Sequence, residues 1–209
     1  MNVTMTNRST LAVLTAIGVV CLLQTTRAQV LELPAKMRMS AVNMSNNLTG
    51  ANGILEITID KWSTPEERGK LLETVQAKGQ DKLLSELQKA SVKGRIRIPG
   101  WTGQDPNNYR TGWNLRYAWH EPLPDGREKV VLGVDRYMSF LEIRNQPKSI
   151  DYPFTIMQLH INKNGTAEGK LAALTMIKWD KKKQVLEIEN YGTEPVRLAN
   201  FVFEKGLKK

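Results

Sequence analysis

From Ser91 onward the chain is a series of short segments in which apolar and polar residues alternate: VKGRIRIPG, WNLRYAWHE, EKVVLGVDRY, FTIMQLHIN, GKLAALTMIKW, QVLEIENYG and VRLANFVFE. A strand sends successive side chains to opposite faces, so a period of two marks a half-buried strand. The turn-forming stretches PLPDG, NKNG and NYGTEP separate neighbours. An earlier segment, GILEITIDKW, sets Leu55, Ile57 and Ile59 against Glu56, Thr58 and Asp60 in the same way. Connections this short join antiparallel neighbours, because a parallel pair needs a crossover of a dozen or more residues. The expectation is an α+β, mainly β, fold: an antiparallel sheet curled into a barrel or closed as a sandwich. The missing β–α–β alternation argues against a nucleotide-binding parallel sheet.

One interruption is helical. In STPEERGKLLETVQAKG, Thr64 is suited to cap free backbone amides, Pro65 to the first helical position, and Glu66 and Glu67 to the positive helix end. Leu71, Leu72 and Val75 form an apolar stripe that Gly79 ends, and Leu83, Leu84 and Leu87 repeat it. This predicts a two-helix hairpin at about residues 65–90, after the first strand, with both stripes packed on the sheet.

The first residues have the layout of a secretory signal: Arg8 with no acidic neighbour, then the apolar run LAVLTAIGVVCLL. As a helix that run rises about 20 Å, short of the roughly 30 Å hydrocarbon core of a membrane. Cleavage after Ala28 fits best, making residues 1–28 a signal peptide and Gln29 the first mature residue. Lipidation of Cys21 is disfavoured by the bulky Val19 and Val20 before it. Cleavage also removes the single cysteine, leaving a cysteine-free mature chain with neither disulfide nor thiolate metal site. Residues 29–52, polar and rich in Met, Asn and Ser, read as a flexible arm ahead of one domain over 53–209.

The run ITIDKWSTPEERGKLLETVQAKGQDKLLSELQK, the segment RNQPKSIDYPFT and the ending ENYGTEPVRLANF resemble an uncharacterised family of secreted bacterial proteins. The resemblance spans almost all of the chain after Ile54. It implies an exported, periplasmic or secreted bacterial protein, and no activity is attached to the family, so no catalytic residues carry over.

The formal net charge of +9 suits weak contact with anionic surfaces. Its cations are scattered among acids, with no basic stripe interleaved by aromatics, which argues against nucleic acid. HExxH, GxSxG and GxxxxGK[ST] are absent, and GTAEGK is one residue short of a phosphate loop. No cofactor and no metal site is expected.

Candidate chemistry centres on the two histidines. Along WNLRYAWHE, alternation puts Trp113, Leu115, Tyr117 and Trp119 on a core face, and Asn114, Arg116, Ala118 and His120 on the other. Asp135 on the returning strand is placed to meet Arg116 across the ladder. Along FTIMQLHIN, Phe154, Ile156, Gln158 and His160 share a face, an apolar strip ending in polar groups. The long loop RNQPKSIDYPF adds Arg144 and Asp151, and Trp101, Tyr109 and Trp113 offer rings for stacking on a sugar. The expected ligand-binding set is therefore Arg116, His120, Asp135, Arg144, Asp151 and His160, gathered as a polar cluster in a small barrel. The leading reading is a non-catalytic envelope protein that binds a small ligand or another envelope component. The alternative is a hydrolase of cell-wall or glycan material using His120, Asp135 and Asp151.

Overall fold

The computed structural model describes residues 31–43, 52–99, 112–136, 138, 153–183, 185–190 and 196–208. The signal-like residues 1–28, with Cys21, and the sites Arg144, Asp151, Trp101 and Tyr109 lie outside the described residues. Among the described residues, nine strands and one helix follow the order β1 (Leu31–Val42), β2 (Asn52–Ile59), α1 (Pro65–Lys89), β3 (Gly94–Arg97), β4 (Trp113–Pro122), β5 (Glu128–Val134), β6 (Phe154–Ile161), β7 (Ala167–Asp180), β8 (Val185–Asn190) and β9 (Val196–Leu207).

Every pairing is antiparallel. The hydrogen-bonded order runs β6-β5-β4-β3-β2-β1-β9-β7-β8, and a further β6–β7 pairing returns the sheet to its start. Eight strands thus form a closed barrel, the first of the two architectures the alternation allowed. β7 continues past the ring, pairing Thr175 to Asp180 with β8.

Side chains fill the barrel. Met37 and Met39 from β1, Leu55, Ile57 and Ile59 from β2, Trp113 and Leu115 from β4, and Leu159 and Ile161 from β6 are at most 1% exposed and belong to one cluster. Eight strands enclose a bore that side chains alone can fill. At β3 the backbones come so close that a Cβ on Gly94 would sit 2.1 Å from the Thr58 carbonyl oxygen, which leaves glycine as the residue that fits.

Three expectations are corrected. Residues 31–42 form strand β1 instead of an arm: Ala35, Met37, Met39 and Ala41 are buried and alternate with Lys36, Arg38 and Ser40. Methionine and alanine have little strand preference of their own, yet between β2 and β9 this period-two pattern buries a full face.

The helical region is one helix following the second strand, in place of a two-helix hairpin after the first. Its start is as expected, with Thr64 Oγ1 accepting from the Glu67 amide at 3.2 Å and Glu67 Oε2 accepting from the Thr64 amide at 2.8 Å. Gly79 adopts φ 75°, ψ −174°, outside the helical region, and kinks α1 there. The kink brings Lys70 Nζ within 2.6 Å of Glu86 Oε2, residues that a straight helix would hold roughly 24 Å apart.

The third correction concerns the faces of β4. Leu115 pairs with Val134 and Tyr117 with Gly133, so Arg116 is an extra residue, a β-bulge. Before it Trp113 and Leu115 point into the barrel; after it Ala118 does, while Tyr117 and Trp119 point outward and are half-buried. The bulge is locked from both sides. The Arg116 guanidinium donates to Asp135 Oδ2 at 3.1 Å and to the Ala90 carbonyl at 2.9 Å, at the helix C-terminus. Ser63 accepts from the Ala118 amide at 3.1 Å and donates its own backbone N–H to the Ala118 carbonyl at 2.7 Å.

A second apolar cluster lies outside the barrel, where Val75, Leu83 and Leu87 of α1 pack with Phe154, Tyr117, Ile156 and Ile177. The helix is fastened there by Lys93, whose side chain is 3% exposed and whose Nζ donates to both Glu67 carboxylate oxygens at 2.6 Å and to Ser91 Oγ at 3.0 Å.

Two predictions follow from this packing. Trp113→Ala will cost about 3–5 kcal/mol, as for other buried large-to-small changes, and Trp119→Ala markedly less; urea denaturation of both variants gives the order, and the reverse order would place the bulge wrongly. The hydrogen bond from Lys93 holds the Glu67 carboxyl below its ordinary value of 4.5. A lowered folded-state pKa contributes stability that is present above the unfolded value and lost as pH falls through the folded one. The stability difference between the protein and Glu67→Gln should therefore narrow as pH falls below about 4, and a constant difference would rule this out.

Candidate functional site

The four expected site residues among the described residues, Arg116, His120, Asp135 and His160, are not gathered in one place. Arg116 and Asp135 meet, but as the ion pair that holds the bulge. His160 lies on the outer face of β6, with Nε2 2.9 Å from Gln158 Nε2 and Nδ1 4.0 Å from Glu168 Oε1. Phe154 and Ile156 share that outer face, as the alternation implied, so their strip lies outside the barrel.

His120 faces the opposite way, toward one end of the barrel interior. It pairs across the ladder with Val130, and its Nδ1 is 2.6 Å from Glu128 Oε1. The Glu128 side chain is 2% exposed, and its other oxygen accepts from the Leu31 amide at 3.0 Å. Trp62 lies against the imidazole, with ring centroids 4.4 Å apart and the planes tilted by 35°. A buried carboxylate therefore orients His120 and ties the start of β1 to β5. Sequence reasoning passed over Glu128 although a signal was there: the turn closed by Leu123 and Arg127 sets Glu128 opposite Pro122, on the His120 side of the hairpin.

A cleft of about 260 Å³ lies on the barrel's outer wall, between α1 and the strands beneath it. Leu71, Leu72, Val75, Leu83 and Leu87 of α1 form the roof. The floor is the outward face that the bulge created, with Tyr117 and Trp119 of β4, Val131 and Gly133 of β5, and Phe154 and Ile156 of β6. Ile177 and Ile188, from the β7–β8 extension, close one side, and Ile188 is 54% exposed. Gly133 lies against Tyr117, where a Cβ would be 3.2 Å from the Tyr117 Cβ, so the small residue lets the ring lie flat on the floor.

Charge is confined to one end of this cleft. Glu121 and Lys129 pair across the ladder at 2.5 Å, and the Lys129 ammonium holds the Glu121 carboxyl below its ordinary value. The Arg68 guanidinium lies 5.1 Å from the Trp119 ring centroid, a cation–π contact. Burial pushes the Tyr117 hydroxyl up, and the neighbouring Arg68 draws it part of the way back. Sequence reasoning missed Arg68, Trp119 and Lys129 as site residues, because α1 and β4 are brought together only by the fold.

Among the described residues, no group of three or more His, Cys, Asp or Glu side chains is placed to hold a metal ion. No helix among them is long and apolar enough to cross a membrane. Compared with family models, with curated proteins and with solved structures, the chain matches none. The geometry therefore carries the argument for the site.

The Glu128 pair makes a stability prediction. Removing one partner from a buried polar pair costs about 1–3 kcal/mol, so His120→Ala and Glu128→Gln should each fall in that range. Because both act on one contact, the double variant should cost less than the two singles added. Strict additivity in urea denaturation would mean the pair is not coupled.

Proposed function

We propose that this is an exported, non-catalytic envelope protein that holds a small apolar ligand in the cleft between α1 and the barrel wall. One observation carries the reading. The barrel bore is filled by its own side chains, whereas the outer wall and α1 keep an apolar opening of about 260 Å³ between them, with polar groups at one end. Apolar walls with a few oriented polar groups are the general design of small-molecule sites. Export rests on the signal-like residues 1–28 and on the resemblance to secreted bacterial proteins.

The hydrolase alternative has one observation in its favour, the orientation of His120 by Glu128. A general base needs that orientation. Its other expected members are not assembled around it, since Asp135 is held by Arg116 and Asp151 lies outside the described residues. The same wiring also serves to anchor β1 through Leu31, so the cleft is the better-supported site.

An apolar fluorescent probe should bind the protein saturably. Leu72→Trp, which fills the roof of the cleft, should weaken that binding about tenfold or more, the scale of about 1.4 kcal/mol, while the thermal melt stays within a few degrees. Probe binding indifferent to Leu72 would move the site elsewhere.

A further inference from the structure

We infer that the occupant of the cleft is a single-chain amphiphile with a carboxylate head, seated with its chain under α1 and its head on Arg68. This rests on the cleft reading above and adds the chemistry of the ligand. The lining separates the two halves of such a molecule. Aliphatic and aromatic side chains from α1, β4, β5, β6 and β7 make the interior, and Arg68, Glu121 and Lys129 are the charged residues of the lining.

The charges at that end do not balance. Lys129 and Glu121 pair at 2.5 Å, and Glu121 also feels the Arg68 charge, so the two cations and one carboxylate of the lining leave a net positive charge at the end where Arg68 lies. Its guanidinium is already desolvated on one face by the Trp119 ring at 5.1 Å, and the Tyr117 hydroxyl lies beside it. A guanidinium presents paired N–H donors matched to the two oxygens of a carboxylate, and the hydroxyl supplies a further donor. A cationic head would instead meet Arg68 with like charge, and a neutral alcohol would leave the fork half used.

The size of the opening points to one chain. At about 260 Å³ it lies just below the usual range for ligand pockets, roughly 300–1,000 Å³, which fits one acyl chain better than the two of a phospholipid.

Calorimetric titration of the protein with three twelve-carbon probes, laurate, dodecanol and dodecylamine, each below its micelle concentration, tests both levels. Laurate should bind one to one and about tenfold more tightly than dodecanol, with dodecylamine weakest. Arg68→Gln should bring laurate down to the dodecanol level and leave dodecanol unchanged, Arg68→Lys should fall between, and Lys163→Gln, at an exposed cation outside the cleft, should change the preference little. If laurate and dodecanol bind equally and Leu72→Trp removes both, the cleft stands and the carboxylate assignment is overturned. If Lys129→Gln, and not Arg68→Gln, removes the preference, the head-group residue is wrong. If neither probe binds, or Leu72→Trp leaves binding intact, the cleft reading itself fails. Binding to phosphatidylglycerol vesicles without binding to laurate overturns the single-chain ligand in favour of a lipid surface.

Discussion

Closure of the barrel depends on β7 holding a neighbour on each edge. Gly169, Lys170 and Leu171 pair with Leu159, Gln158 and Met157 of β6 on one side and with Leu198, Arg197 and Val196 of β9 on the other. Without that double pairing β6 and β7 would be separate edges of an open sheet, and the apolar face now inside the bore would meet water. Crowding at the junction sets a local requirement: a Cβ on Gly169 would lie 2.9 Å from the Gln158 carbonyl and 2.7 Å from the Leu159 side chain. Once the ring is closed, buried side chains pack its bore, and the apolar cleft lies outside it.

That space arises from a single inserted residue. Arg116 shifts the phase of β4, so the strand's aromatic residues serve two compartments: Trp113 in the bore, Tyr117 and Trp119 on the outer wall. An outer wall with two exposed rings needs a cover, and α1 provides one through Val75, Leu83 and Leu87. The cover is incomplete because Gly79 kinks the helix and because Ile177 and Ile188 stand on an extension beyond the ring. The ion pair of Arg116 with Asp135 and the bond from Arg116 to the Ala90 carbonyl tie bulge and helix end together. The same residue thus creates the floor of the cleft and holds its roof in place.

His120 illustrates the other use of polar groups in this fold. Its partner Glu128 is buried, where a polar side chain needs partners. The imidazole and the Leu31 amide meet that need, and in doing so they fix where β1 begins. On the far side of the same sheet, His160 sits among Gln158 and Glu168 in a partly exposed polar patch. Two histidines on neighbouring hairpins therefore end on opposite faces, separated by the wall of the barrel.

What the sequence determined by itself is local in origin. Period-two alternation gave the antiparallel β class, and the capping residues Thr64 and Glu67 gave the start of α1. Each of these is set by residues within a few positions of one another. Strand β1 was hidden because alanine and methionine carry the buried pattern there with little strand preference, and only the flanking β2 and β9 stabilise it. The phase change at Arg116 was hidden because a bulge is a property of a pairing, invisible in one strand read alone. The cleft, with Arg68 from the helix over Trp119 from β4, was decided by tertiary structure, since contact between residues about fifty positions apart follows from how closed sheet and helix pack and not from either segment's own preferences.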